Sequence, residues 1–93
     1  MTKDIRYERV GQLIKDGRII CFREIFTLLP KTIMAGDLWM NNNRFDKLKK
    51  NVTLFRIKDL FRMAFLLEID EMLILTIIYN QYMADKVEKA KRI

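Results

Sequence analysis

Apolar residues return at every third or fourth position along most of the chain, and this spacing favours helices over every other element. Phe22, Ile25, Phe26 and Leu29 show it over a short segment, and Ile57, Leu60, Phe61, Ala64 and Leu67 over a longer one. No Asn-Gly or Asp-Gly pair separates two alternating apolar runs, so no hairpin signal competes. The expected class is all-α, a compact domain of five to six helices. Ninety-three residues hold one core, and the 51% hydrophobic content suffices to fill it.

Six helical segments are expected. The first runs from about Asp4 to Lys15 and ends at Asp16-Gly17, where glycine suits a left-handed terminus. The second, about Phe22 to Leu29, stops at Pro30, which cannot continue the backbone ladder. The third covers about Lys31 to Leu38 and buries Met34, Ala35 and Leu38. The fourth covers about Asn42 to Lys50 and buries Phe45 and Leu48. Thr53 reads as a loop or cap residue, and the fifth helix, about Arg56 to Leu67, turns Ile57, Leu60, Phe61, Ala64 and Leu67 inward. The sixth starts near Asp70 and runs toward Lys89, acidic at its start and lysine-rich at its end, as the helix dipole favours. The methionines, Met34, Met63, Met72 and Met83 among them, and the phenylalanines, including Phe65, read as core.

That last segment carries Met72, Leu73, Ile74, Leu75, Ile77, Ile78, Tyr79, Tyr82 and Met83, more apolar residues than one face holds. One face is expected to meet the other helices and another a second copy, with Leu73, Ile77 and Tyr82 at the dimer interface. The chain divides into an N-terminal extension helix at 1–20, a core at 21–80, and the end of the last helix with a basic tail at 81–93, the tail from Lys86 onward fraying.

Composition excludes several function classes. Histidine is absent and Cys21 is the one cysteine, so neither an intrachain disulfide nor a zinc-ligand cluster is available. A nucleophilic Cys21 lacks a histidine base and reads as a small buried hydrophobe. The acidic residues Glu68, Asp70 and Glu71 read as caps rather than as a catalytic pair, and no phosphate-binding glycine loop occurs. An enzyme is not expected, nor a cofactor, a metal or a small-molecule ligand. Met1 to Asp16 has no apolar signal region, and the apolar run Met72 to Tyr79 is far short of the roughly 20 residues of a membrane span. A cytoplasmic protein without a membrane partner is expected.

The formal net charge is +6, which favours a polyanionic partner. Between Asn41 and Arg62 stand Arg44, Lys47, Lys49, Lys50, Arg56, Lys58 and Arg62 against Asp46 and Asp59, a local +5. Within Lys31 to Lys50, two short helices are joined by about four residues. Ala35 lies mid-way along the first, Leu38 and Met40 follow, and Phe45 and Leu48 point inward from the second. "LFRIKDLFRMAFLLEIDEMLI" then supplies a linker, an amphipathic helix around Ala64, an apolar-acidic turn and a final helix. This order resembles the repressor-like helix-turn-helix of the lambda-repressor and Xre class, over roughly Phe22 to Ile78. The resemblance implies a central helix-turn-helix in a lambda-repressor-like fold. It departs from the family at Trp39, which stands where the family usually has glycine at a positive φ. A bulky residue there costs about a kilocalorie or more, so either the turn is longer or packing holds Trp39.

The resemblance implies sequence-specific binding of double-stranded DNA by a transcriptional regulator, nucleoid-associated and working as a homodimer. Asn41 or Asn42 caps the recognition helix, at about 42–50, and Asn42, Asn43, Arg44 and Lys47 contact bases. Asparagine pairs bidentately with adenine and arginine with guanine. Lys31, Lys49, Lys50, Arg56 and Lys58 contact phosphates, with the free N–H groups at the starts of the third and fourth helices. The rival reading is a small helical protein-interaction module, whose apolar C-terminal helix binds a partner while the basic surface only solubilises.

Overall fold

Five α-helices and two short 3-10 segments make up the computed structural model, which describes residues 3–91. The helices are α1 (Arg6–Lys15), α2 (Lys31–Asp37), α3 (Asn42–Lys50), α4 (Ile57–Leu67) and α5 (Glu71–Lys91). The 3-10 segments are Phe22–Thr27 and Val52–Leu54. The second expected helix is thus a tighter and shorter element. Glu24 holds its start by accepting from the Cys21 N–H at 2.8 Å, and Pro30 bars any continuation of the ladder past Leu29.

Three helices end the same way. Gly17, Trp39 and Glu68 lie just past α1, α2 and α4 in the left-handed region, at φ 76°, 58° and 55°. In each case the next N–H reaches back to a carbonyl inside the helix: Arg18 to Leu13 at 2.9 Å, Met40 to Ala35 at 2.9 Å and Ile69 to Ala64 at 3.0 Å. These six-residue closures satisfy carbonyls that a helix end leaves open and reverse the chain within a few residues. Glycine takes that conformation freely, whereas Trp39 and Glu68 hold it at a steric cost.

Four phenylalanines close a ring of edge-to-face contacts, with Phe22, Phe45 and Phe55 buried and Phe26 half-buried at its edge. Phe22 meets Phe26 and Phe55 at 5.2 Å between ring centroids, Phe26 meets Phe45 at 5.6 Å, and Phe45 meets Phe55 at 6.1 Å. Each such pair contributes about 0.5–1.5 kcal/mol beyond the area it buries. Because Phe45 belongs to α3, this cluster sets how deeply that helix sits. Met34, Ala35, Leu38, Leu48, Met63, Leu67, Ile74 and Ile77 are among the other residues of the core.

The segment expected as an N-terminal extension contributes Tyr7, Val10 and Ile14 to the same core. Its close fit depends on Gly11: a Cβ there would fall 2.0 Å from the Leu67 carbonyl oxygen, so the α1 and α4 backbones touch where glycine stands. At the other end, α5 continues to Lys91. Met1, Thr2, Arg92 and Ile93, which belong to the expected segments 1–20 and 81–93, lie outside the described residues.

Several inward assignments are corrected. Ile57 and Phe61 are exposed, and Phe65 is 73% exposed, although all three share the helical spacing of core residues. The α4 surface that is buried carries Leu60, Met63, Ala64, Leu66 and Leu67 instead. Apolar residues surround α4 on nearly every side, and the contacts with α1 and α5 select which arc is covered. Met72 and Met83 also face outward, Leu73 is half-buried, and Cys21 is half-buried rather than enclosed. Ile77, expected at a dimer interface, is 3% exposed and belongs to the core of the single chain.

Candidate nucleic-acid interface

The start of α3 is determined by Asn41. Its side-chain oxygen accepts the Arg44 N–H at 2.8 Å, which satisfies one of the open donors of the first turn. The three consecutive asparagines therefore have different tasks: Asn41 caps, while Asn42 and Asn43 begin the exposed surface of the helix. Phe45 and Leu48 point into the core, and Asn43, Lys47 and Lys50 fall on the opposite side at successive turns. Asn42 and Arg44 flank that strip and are exposed as well. Asn42, Asn43, Arg44 and Lys47 are thus brought together on one accessible helix start. Among the described residues their side chains enter no hydrogen bond or ion pair.

The turn before α3 is held from two sides. Asp37, at the end of α2, accepts from the Tyr7 hydroxyl at 2.7 Å through its carboxylate. Its backbone carbonyl accepts the Arg62 Nε–H at 2.7 Å. The Arg62 guanidinium in turn lies 4.3 Å from the Trp39 ring centroid. Burial in the core, with the Asp37 carboxylate next, pushes the Tyr7 hydroxyl well above the ordinary tyrosine range, so it stays a donor. Trp39 remains 83% exposed, so stacking on Arg62 rather than enclosure accompanies its positive φ.

The far end of α3 is fixed by Arg23. Its guanidinium donates to the Lys49 carbonyl at 2.5 Å and to the Asp85 carboxylate, while its backbone N–H donates to Gln81 at 2.9 Å. One side chain from the 3-10 segment therefore caps the C-terminus of α3 and ties it to α5.

The residues expected at phosphates are less uniform. The Lys31 ammonium is 2.5 Å from Asp46, and that hydrogen-bonded pairing holds the Asp46 carboxyl below the ordinary carboxylate range. Lys49 places its ammonium 4.8 Å from the Phe26 ring centroid. Lys50 lines a groove with Asn51, Thr53, Tyr82, Lys86 and Lys89. Arg56 and Lys58 are exposed at the start of α4.

Arg23, Asp37, Tyr7 and the Trp39–Arg62 stack carry no signal in the sequence, because their partners stand 23 to 62 positions away. Among the described residues no cluster of three or more histidine, cysteine or acidic side chains is placed to hold a metal. No described helix is long and apolar enough to cross a membrane. No family model, curated protein or solved structure matches the chain.

Proposed function

We propose that this chain binds double-stranded DNA sequence-specifically, with α2, its turn and α3 acting as a helix-turn-helix, and that it serves as a transcriptional regulator in the nucleoid. The observation that best supports this reading is the outer side of the α3 start. Asn42, Asn43, Arg44 and Lys47 are exposed there together, without internal partners, on a helix capped at one end by Asn41 and at the other by Arg23. A helix of this kind fits the major groove, where amide and guanidinium groups read base edges. Arg56 and Lys58 are free for phosphates, and Lys49 and Lys50 add positive charge beside them. Lys31 serves phosphate only by leaving or sharing Asp46. A homodimer would place two such helices about 34–36 Å apart on a symmetric site, one duplex turn.

Selection from a mixed-sequence duplex library, followed by fluorescence anisotropy from low to high salt, tests the reading. Binding should weaken by about 1000-fold or more between roughly 50 and 200 mM salt. The Arg44→Ala/Lys47→Ala variant should lose sequence preference and show a shallower salt slope. Absence of binding at the lowest salt would sink the proposal.

A protein-interaction module is the second reading, and one observation favours it. Ile57, Phe61 and Phe65 form an exposed apolar stripe along α4, and Leu54 of the preceding 3-10 segment is exposed as well; a DNA groove does not require them. On that reading the Arg44 and Lys47 substitutions leave partner binding intact.

A further inference from the structure

α5 keeps a second apolar face uncovered. Ile74, Ile77 and Gln81 are buried against the other elements. On the opposite side Met72, Leu75, Tyr79 and Tyr82 succeed one another at intervals of three, four and three residues, and Lys86 and Lys89 continue the same spacing. Met72 and Tyr79 are 66% and 60% exposed, Tyr82 and Met83 are exposed, and Leu75 is half-buried. Alternating three- and four-residue intervals are the pattern of a helix that packs along a second helix. From Met72 to Lys86 this seam runs about 21 Å.

The charges on the seam identify the occupant. Glu71 stands at its start, and Lys86 and Lys89 stand at its end, all exposed. A second copy laid parallel would set Glu71 beside Glu71 and lysines beside lysines. Laid antiparallel, it sets each Glu71 within a turn of the other copy's Lys86 and Lys89, and opposes the two helix dipoles favourably. Lys50, Asn51, Val52 and Thr53 share a groove with Tyr82, Asp85, Lys86 and Lys89; Arg23 pairs with Asp85, so three lysines set the charge that the incoming Glu71 meets.

We infer that two copies of this chain pair antiparallel through α5, with Tyr79 on the two-fold axis, Met72 facing Lys86, and Leu75 facing Tyr82 and Met83. The pairing deepens the homodimer part of the DNA-binding reading and rests on it for its role. It replaces Ile77, which is buried in its own chain, and Leu73, which lies nearer the buried side, by Met72, Tyr79 and the outer part of Leu75, which also packs on its own core, and retains Tyr82.

Chains carrying Met72→Cys and Lys86→Cys, each on a Cys21→Ser background, test the arrangement when mixed and oxidised. The expected result is a disulfide between the two variants and none between two Met72→Cys chains. Sedimentation equilibrium should show a dimer for the unaltered chain. Tyr79→Glu, which places two carboxylates on the axis, should raise the dimer Kd by roughly 100-fold or more, with an unchanged helical circular dichroism signal. That monomer should still occupy a single half-site. An unaltered chain that sediments as a monomer, or a preferred link between two Met72→Cys chains, would overturn the inference. So would a Tyr79→Glu dimer that only Phe65→Glu dissociates, since the interface would then lie on α4. If the cross-link forms and no variant binds DNA, the pairing stands and the DNA reading alone falls.

Discussion

Arg62 on α4 stacks its guanidinium 4.3 Å from the Trp39 ring centroid, across the turn that leads into α3. The same side chain donates to the Asp37 carbonyl, so one arginine holds both the last residue of α2 and the left-handed residue just beyond it. A left-handed conformation costs a bulky residue roughly 1–2 kcal/mol, and a surface cation–π contact returns about 0.5–1 kcal/mol. The two magnitudes are close enough for a double-mutant cycle to separate them. In an Arg62→Ala background, Trp39→Gly is expected to raise stability by about 1 kcal/mol, as the φ cost disappears with nothing lost. Beside Arg62 the same change should gain less, by a coupling of about 0.5–1 kcal/mol. Urea denaturation of the four proteins measures that difference, and a coupling of zero would remove the Trp39 stack as a support of the turn, leaving only the Arg62 bond to the Asp37 carbonyl.

Gly11 gives an opposite outcome from what helix propensity alone predicts. Alanine in a helix interior is about 1 kcal/mol better than glycine, yet a Cβ at this position would sit 2.0 Å from the Leu67 carbonyl oxygen. The obstacle is backbone, which yields only if α1 and α4 separate and their buried contacts loosen. Gly11→Ala is therefore expected to destabilise the chain by about 1–3 kcal/mol or more. Gly36→Ala is the control, since a Cβ there meets nothing within 4 Å. Thermal unfolding of both variants decides the matter.

Stability should fall at both ends of the pH range, because folding raises the pKa of Tyr7 and lowers those of Asp46 and Asp4. Tyr7 is raised above its ordinary value of 10.0, by burial first and by the Asp37 hydrogen bond second. Its contribution is complete below about pH 10 and is lost as pH rises above that. Asp46 is lowered from 3.8, chiefly by Lys31, so its contribution is present above about pH 4 and is lost as pH falls through the folded value. Asp4 behaves in the same sense through Arg6, over about pH 4 to 2. Asp46→Asn should flatten part of the acid limb and leave the alkaline limb alone. Tyr7→Phe should flatten the alkaline limb, and at neutral pH it should cost about 1.5–3 kcal/mol for a hydrogen bond to a charged group. Denaturation midpoints across pH check both, and an unchanged alkaline limb in Tyr7→Phe would contradict the assignment.

The stretch around α3 was the most legible part of the chain. Its expected limits, 42 and 50, agree with the helix that forms, and Asn41 supplies the cap. These features depend on residues within one or two turns of each other, and local chemistry settles them: an asparagine before an open N–H, a proline that ends a ladder, a glycine that turns left. The position of Trp39 was legible too, as a residue out of place in a turn needing positive φ, although its stack on Arg62 was not.

Neighbouring residues alone specify that the chain is helical, where most helices begin and end, and which stretch concentrates positive charge, because spacing, caps and charge are local properties. Tertiary structure decided which arc of α4 and α5 is covered. Both helices are apolar on more sides than the core can use, so Phe61 and Ile77 carry the same local signal. Only the approach of α1 at Gly11, the phenylalanine cluster and the Arg23 tether to α5 leave the first in solvent and enclose the second. Those contacts join residues far apart in the chain, and no short-range pattern encodes them.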